Sequence, residues 1–254
     1  MHAWPPASRP VARIGDDVHI WRLSLEGSAA LAERLVETLS SGERRRAERF
    51  RFARDRDRFV VVRGVLRGLL GRYLDRDPGT LRFRYGPNGK PALRDDGFLR
   101  FNVSHSRRIA LVAVAAGREV GVDVEEIRGD LDVDGLSRVF SAAERASLAA
   151  LTGNGRRRAV FGCWTCKEAY AKARGEGLSL PLHRFSVGVP PRDPAALVGD
   201  EDHPDDWRRW VLAELVVGPD HAAALAIEAP DPRPRIRCWR WVPEELEPVK
   251  EPQR

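Results

Sequence analysis

The segment "IALVAVAAGREVGVDVEEI", residues 109–127, constrains the fold more than any other part of the chain. Two apolar runs, 109–116 and 120–125, flank the turn Gly117-Arg118-Glu119. Runs this short and this apolar read as buried strands. The short turn makes them the expected arms of a hairpin. Yet the second run carries acids at 123, 125 and 126. A carboxylate taken out of water is costly unless a cation or hydrogen-bond donors compensate for it. Any fold for this chain has to bring such groups to the end of a buried strand.

The remaining elements read from periodicity. Strands are expected at "VHIWRLSL" (18–25), "LRFRY" (81–85), "FLRFNVSHS" (98–106), "FSVGV" (185–189), "WRRWVLAELVV" (207–217) and "AAALAIE" (222–228). A long helical stretch with room for a break covers 40–74, opened by a capping box of Ser40 and Glu43. A second covers 156–175 and stops at Gly175 and Gly177. Ser141 and Glu144 form another capping box ahead of "AAERASLAAL". Both halves therefore read as strands plus a long helix, and the class is α+β. A faint echo, a His before a short apolar strand at His105 and again at His221, suits two similar lobes. The expected organisation is a loosely ordered 1–17, a first lobe 18–117, a second lobe 118–229, and a Pro- and charge-rich tail 230–254 in which "RIRCWRWV" is a strand candidate.

Composition narrows the function classes. No apolar run approaches the roughly 18–20 residues of a membrane span. The first residues lack the basic and then apolar pattern of a signal peptide. The three cysteines fit a reducing compartment, so a cytoplasmic location is expected. Cys163-Trp-Thr-Cys166 has no second pair for zinc, and packing is the expected role of both thiols. A net charge of +6 attracts acidic partners. The first helical stretch carries Arg44, Arg45, Arg46, Arg49, Arg51, Arg54, Arg56 and Arg58, which reads either as a solvated face or as an anion-binding surface. The rival function on this evidence is a nucleic-acid-binding protein using that helix. Only four of the 43 basic residues are lysine, so Lys90, Lys167 and Lys172 are candidates for local roles that arginine does not serve.

Asp123 and Glu125 lie two apart on a strand and share a face. Two converging carboxylates suit Mg²⁺, which takes one or two protein carboxylates, water and substrate phosphate; the alternative is a solvated polar strand end. Glu168 and Lys172 lie four apart on the second helix and share a face there. They read either as a surface ion pair worth about 0.3–0.5 kcal/mol or as a third metal carboxylate beside a phosphate-binding ammonium. Trp164, Ala169 and Tyr170 place that helix partly inside the protein.

Gly121-Val-Asp123-Val-Glu125 followed by Trp164-Thr165-Cys166-Lys167-Glu168-Ala-Tyr-Ala-Lys172 resembles the signature of the 4′-phosphopantetheinyl transferase superfamily, in its larger two-lobed type that activates peptide and polyketide synthases. "GKP" (89–91), "FNVSHS" (101–106) and "GEGLSLPL" (175–182) extend the resemblance over roughly residues 18–228. It implies two similar lobes related by a pseudo-two-fold, each a small antiparallel sheet packed with a long helix, and a monomer with coenzyme A in the cleft between them. It implies transfer of 4′-phosphopantetheine from coenzyme A to a serine of an acyl or peptidyl carrier protein, with release of 3′,5′-ADP. Asp123, Glu125 and Glu168 would hold Mg²⁺; Asp123, Glu168 and Lys172 would be catalytic. The base is Glu168, Glu144 or water. Arg58, Lys90, Ser104, His105, Arg44 and Arg46 would bind coenzyme A, its 3′-phosphate above all. Coenzyme A and the carrier are the implied partners, with no nucleic acid or membrane.

Overall fold

The computed structural model describes residues 4–6, 14–189, 196–229 and 233–243. Its strands are β1 (Val18–Ser24), β2 (Phe83–Tyr85), β3 (Pro91–Leu93), β4 (Leu99–Ser106), β5 (Ile109–Ala116), β6 (Val120–Glu126), β7 (Phe185–Val187), β8 (Leu197–Asp200), β9 (Trp210–Glu214), β10 (His221–Glu228) and β11 (Ile236–Arg240). Its α-helices are α1 (Ser28–Leu35), α2 (Ser41–Glu48), α3 (Ala53–Leu74), α4 (Val133–Ser137), α5 (Ala142–Ala149), α6 (Gly153–Arg174) and α7 (Asp206–Arg209). The class is α+β. None of the described helices is long and apolar enough to cross a membrane.

Two sheets carry the fold, with strand orders β11-β1-β5-β4 and β6-β10-β9. The expected hairpin over 109–125 does not form. β5 pairs with β1 and β4, while β6 pairs with β10. Both edges of β5 are occupied, so β6 has no ladder left there. The chain crosses from one sheet to the other at Gly117, whose φ of 63° is the left-handed region that glycine enters freely.

The sheets pack face to face. Val18, Ile20, Leu111 and Ala113 of the first meet Val122, Val124, Leu225 and Ile227 of the second in one buried cluster. The alternate residues face outward to the helices. Trp21, Leu23, Val112 and Val114 pack with Val61, Val65 and Leu69 of α3. Ala224 and Ala226 pack with Ala169, Tyr170 and Ala173 of α6. Helix, sheet, sheet and helix are therefore stacked, and β5 is covered on both faces, which explains its unbroken apolar run.

The break within 40–74 falls at Arg49–Phe52, between α2 and α3. Both capping boxes are formed, by Ser40 with Glu43 and by Ser141 with Glu144. α6 ends where Gly175 takes a left-handed conformation, φ 75°.

Part of the stretch expected as a tail joins the first sheet. β11 lies parallel to β1, so that sheet is mixed rather than wholly antiparallel. Trp239 of β11 stacks on Trp21 with ring centroids 5.3 Å apart. Beneath it, Trp21 Nε1 donates to Tyr73 Oη at 2.9 Å, and His19 Nδ1 lies 2.8 Å from the same oxygen. The rest of the expected tail, 230–232 and 244–254, and most of the expected loose N-terminus, 1–3 and 7–13, lie outside the described residues.

Candidate active site

β6 turns Gly121, Asp123 and Glu125 toward α6. The helix lies so close that a Cβ on Gly121 would stand 2.1 Å from the Ala169 carbonyl oxygen. Only glycine permits this approach. It brings Glu168 and Lys172, one helical turn apart, over the strand.

Lys172 Nζ donates to Asp123 Oδ1 at 2.5 Å and to Ser104 Oγ at 3.0 Å. Ser104 Oγ in turn donates to Asp123 Oδ1 at 2.8 Å. Asp123 is 2% exposed and Glu168 9%. One oxygen of each, Asp123 Oδ2 and Glu168 Oε1, is buried without a hydrogen-bond partner among the described residues. Such orphaned acceptors need a cation or donors. Burial first, and the Asp123 carboxylate second, push the Glu168 and Glu125 carboxyls above their ordinary range. The three acids therefore feel one another electrostatically.

Their chemistry fits a hard divalent cation, which takes oxygen ligands. Among the described residues, however, no three of His, Cys, Asp and Glu are gathered as a ready-made metal cage. The Lys172 ammonium already compensates Asp123 Oδ1. This answers the problem posed by acids on a buried strand: a lysine and two serines, Ser104 and Ser106, supply the compensation.

The remaining predicted residues divide. His105 is exposed. Loss of hydration, then the charges of Lys172 and Arg58, hold its imidazole below the ordinary value. Arg58, His105 and Lys172 thus share one cationic neighbourhood. Among the described residues, the buried Nε of Arg58 has no hydrogen-bond partner. Ser104 is buried in the Asp123–Lys172 contact. Lys90 donates to Glu119 at 2.7 Å and to the Ala173 carbonyl at 2.6 Å, near the C-terminus of α6. It latches the "GPNGKP" loop onto the C-terminal end of α6, assisted by Asn88 Nδ2 on the Gly175 carbonyl. With Asn102, Glu168, Lys172 and Ser179 this loop lines a cleft of about 520 Å³. Arg44 is spent on the carbonyls of Leu39 and Glu37. Arg46 lies over the Phe59 ring and lines a separate cavity of about 930 Å³ with Arg45, Arg49, Arg82 and Arg94.

Glu144, an alternative base on sequence, is unsuited to that task. It is 2% exposed and its oxygens accept from Ser141 N, Val187 N and Lys167 Nζ. Lys167 is fully buried and also donates to the carbonyls of Leu182 and Phe185. It is a lock inside the second lobe. Cys163 and Cys166 are buried free thiols, with burial pushing Cys166 up to about 12. Sequence reading missed Asn102 and Ser106, although their alternation with Ser104 along "FNVSHS" already put three polar side chains on one strand face.

The chain is similar to known proteins. A model described as the 4′-phosphopantetheinyl transferase superfamily matches residues 119–226, and one described as 4′-phosphopantetheinyl transferase, N-terminal, matches 26–117. The 4′-phosphopantetheinyl transferase HetI of Nostoc sp. (strain PCC 7120 / SAG 25.82 / UTEX 2576) is 38% identical over 89% of this chain and 94% of its own. The 4′-phosphopantetheinyl transferase Sfp of Bacillus subtilis (strain 168) is 27% identical over 78% of this chain and 86% of its own. Among solved structures, a holo-(acyl-carrier-protein) synthase from Bacillus anthracis str. Ames in complex with CoA matches 44% of this chain and 96% of its own, at 20% identity and a TM-score of 0.36. With family matches over both 26–117 and 119–226 and a relative aligned over nearly its full length, the chain belongs to the 4′-phosphopantetheinyl transferase superfamily.

Proposed function

We propose that this protein transfers the 4′-phosphopantetheine group of coenzyme A to a serine of an acyl or peptidyl carrier protein, releasing 3′,5′-ADP, with Mg²⁺ held by Asp123, Glu125 and Glu168. The observation that carries the reading is the pair of orphaned carboxylate oxygens, Asp123 Oδ2 and Glu168 Oε1, beside the Lys172 ammonium. When bound, Mg²⁺ would neutralise charge on the pyrophosphate oxygens.

The serine oxygen forms a bond to the phosphorus on the pantetheine side, and the bond from that phosphorus to the bridging oxygen breaks. The electron pair leaves with 3′,5′-ADP. Lys172, released from Asp123, meets the charge that builds on the leaving phosphate. The serine proton passes to Glu168 or to water beside it. Arg58 and His105 face the 3′-phosphate, and Lys90 holds the cleft loop in place. The reading carries with it a monomer working in the cytoplasm.

The nucleic-acid reading loses support from the arginines themselves. Of the eight from Arg44 to Arg58, Arg44 is tied to carbonyls, Arg54 to Asp55 and Arg56 to Asp57. Intact-mass spectrometry of candidate carriers incubated with the protein, coenzyme A and Mg²⁺ tests the proposal. A gain of one phosphopantetheine is expected; a raised melting temperature with duplex DNA and no mass gain on any carrier would favour the rival. Asp123→Ala is expected to abolish transfer while the fold survives, and full activity at saturating Mg²⁺ would refute the metal assignment.

A further inference from the structure

β4 is the free edge of the first sheet and β6 the free edge of the second, and the two strands run side by side. Side chains of β4 bridge the gap between them. Asn102 Oδ1 accepts the Val122 N–H at 3.0 Å, Ser104 Oγ that of Val124 at 3.4 Å, and Ser106 Oγ that of Glu126 at 3.1 Å. The offset along the chain is constant, so one face of β4 takes the place of a parallel ladder. Without it, three N–H groups at a buried edge would lack acceptors.

A serine that accepts an N–H still has its own proton to place. Ser104 gives its proton to Asp123 Oδ1 at 2.8 Å, and Ser106 gives its proton to Glu125 Oε2 at 2.9 Å. Each serine accepts from one residue of β6 and donates to the carboxylate of the residue before it. At the remaining position that residue is Gly121, which has no side chain, and Asn102 stands opposite with no hydroxyl. The first lobe thus aims both β6 carboxylates of the second. Ser104 also meets Lys172, so its effects merge with those of the lysine. The bonds of Ser106 to Glu125 and Glu126 do not involve Lys172.

We infer that Ser106 is a positioning residue: it fixes the direction of the Glu125 carboxylate for sharing a metal ion with Asp123, and so makes the first lobe part of the second lobe's metal site. This rests on the metal reading above. A donor outside the ligand set that holds one carboxylate oxygen leaves the other free for the ion, and loss of such a partner costs about 10–100-fold in metal affinity.

The test compares Ser106→Ala with Ser106→Thr, which keeps the hydroxyl. Mn²⁺ binding to the coenzyme A complex is followed by electron paramagnetic resonance, and hydrogen exchange of the Glu126 amide is followed without metal. Ser106→Ala is expected to bind Mn²⁺ about 10-fold more weakly and to exchange the Glu126 amide faster; Ser106→Thr should stay near wild type on both. Coenzyme A binding without metal should be unchanged in either variant. Wild-type Mn²⁺ affinity in Ser106→Ala, a Thr variant as weak as the Ala variant, or loss of coenzyme A binding in Ser106→Ala would overturn the inference. A wild-type protein that binds no Mn²⁺ would instead refute the metal reading, and unchanged Glu126 exchange would then also refute the bridging role of Ser106.

Discussion

Lys167 and Lys172 lie on one helix and share its rarest basic residue type, yet they do opposite work. Lys167 Nζ is fully enclosed, paired with Glu144 at 2.8 Å, and lies 4.1 Å from the centroid of the Phe185 ring. Lys172 keeps 27% of its side chain in solvent and reaches the cleft. Removing one member of a buried pair leaves the other charge uncompensated, which costs about 3–5 kcal/mol. Lys167→Met is therefore expected to lower stability by that order, read by urea denaturation. Lys172→Met leaves the buried Asp123 with Ser104 as its remaining side-chain donor, so it should lose less stability than Lys167→Met while removing most of the transfer rate. If the two variants lose stability equally, the division of roles is wrong. The spacing of Glu168 and Lys172 was legible because a helical period fixes which residues share a face. The burial of Glu144 was not, because a capping box looks the same on a surface helix and on an enclosed one.

The strand β6 and the helix α6 form the working unit of the second lobe, and Gly121 sets their separation. A methyl at 121 would run into the backbone of α6: Ala169 O at 2.1 Å, Ala173 N at 2.4 Å and Ala173 Cα at 2.9 Å. Backbone cannot swing aside as a side-chain end can, so the helix itself must move. Overpacking of this kind costs about 1–3 kcal/mol, occasionally more, and Gly121→Ala should lie at the upper end. Moving α6 also separates Lys172 from Asp123, now 2.5 Å apart. The expected outcome is a lowered melting temperature together with a loss of transfer that saturating coenzyme A does not restore. Restored activity at high coenzyme A would show that only substrate binding had been disturbed. The acids at 123 and 125 could be placed on one face from the sequence alone. Which strand lies beside them could not, since β5 precedes β6 in the chain but pairs elsewhere. Partners such as β1 and β10 decide that, and they are distant in sequence.

The assembly as a whole is closed by its most remote strand pairing, β1 against β11, with Val18 opposite Ile236. Local pattern carries no information on a pairing across most of the chain, which is why residues 236–240 read only as a strand candidate within a tail. The contact is built on aromatic rings around His19, which is 1% exposed. Burial drives its imidazole down to about 4; Asp17 raises it and Arg237 lowers it by lesser amounts. An unfolded histidine titrates near pH 6.5. Between these values the unfolded chain binds the proton and the folded one does not, so stability rises with pH across that window. The contribution is complete above pH 6.5 and is lost as pH falls toward 4, at most about 3 kcal/mol in all. Glu125 and Glu168, whose carboxyls are raised, act with the opposite sign, so total stability does not isolate the histidine. The difference between wild type and His19→Phe does. Denaturant midpoints at pH 7.5, 6 and 5 should converge as the pH falls, because only wild type has to strip a proton from position 19 to fold. A gap between the two proteins that stays constant over that range would mean His19 is not held neutral, and that the β1–β11 closure is insensitive to acid.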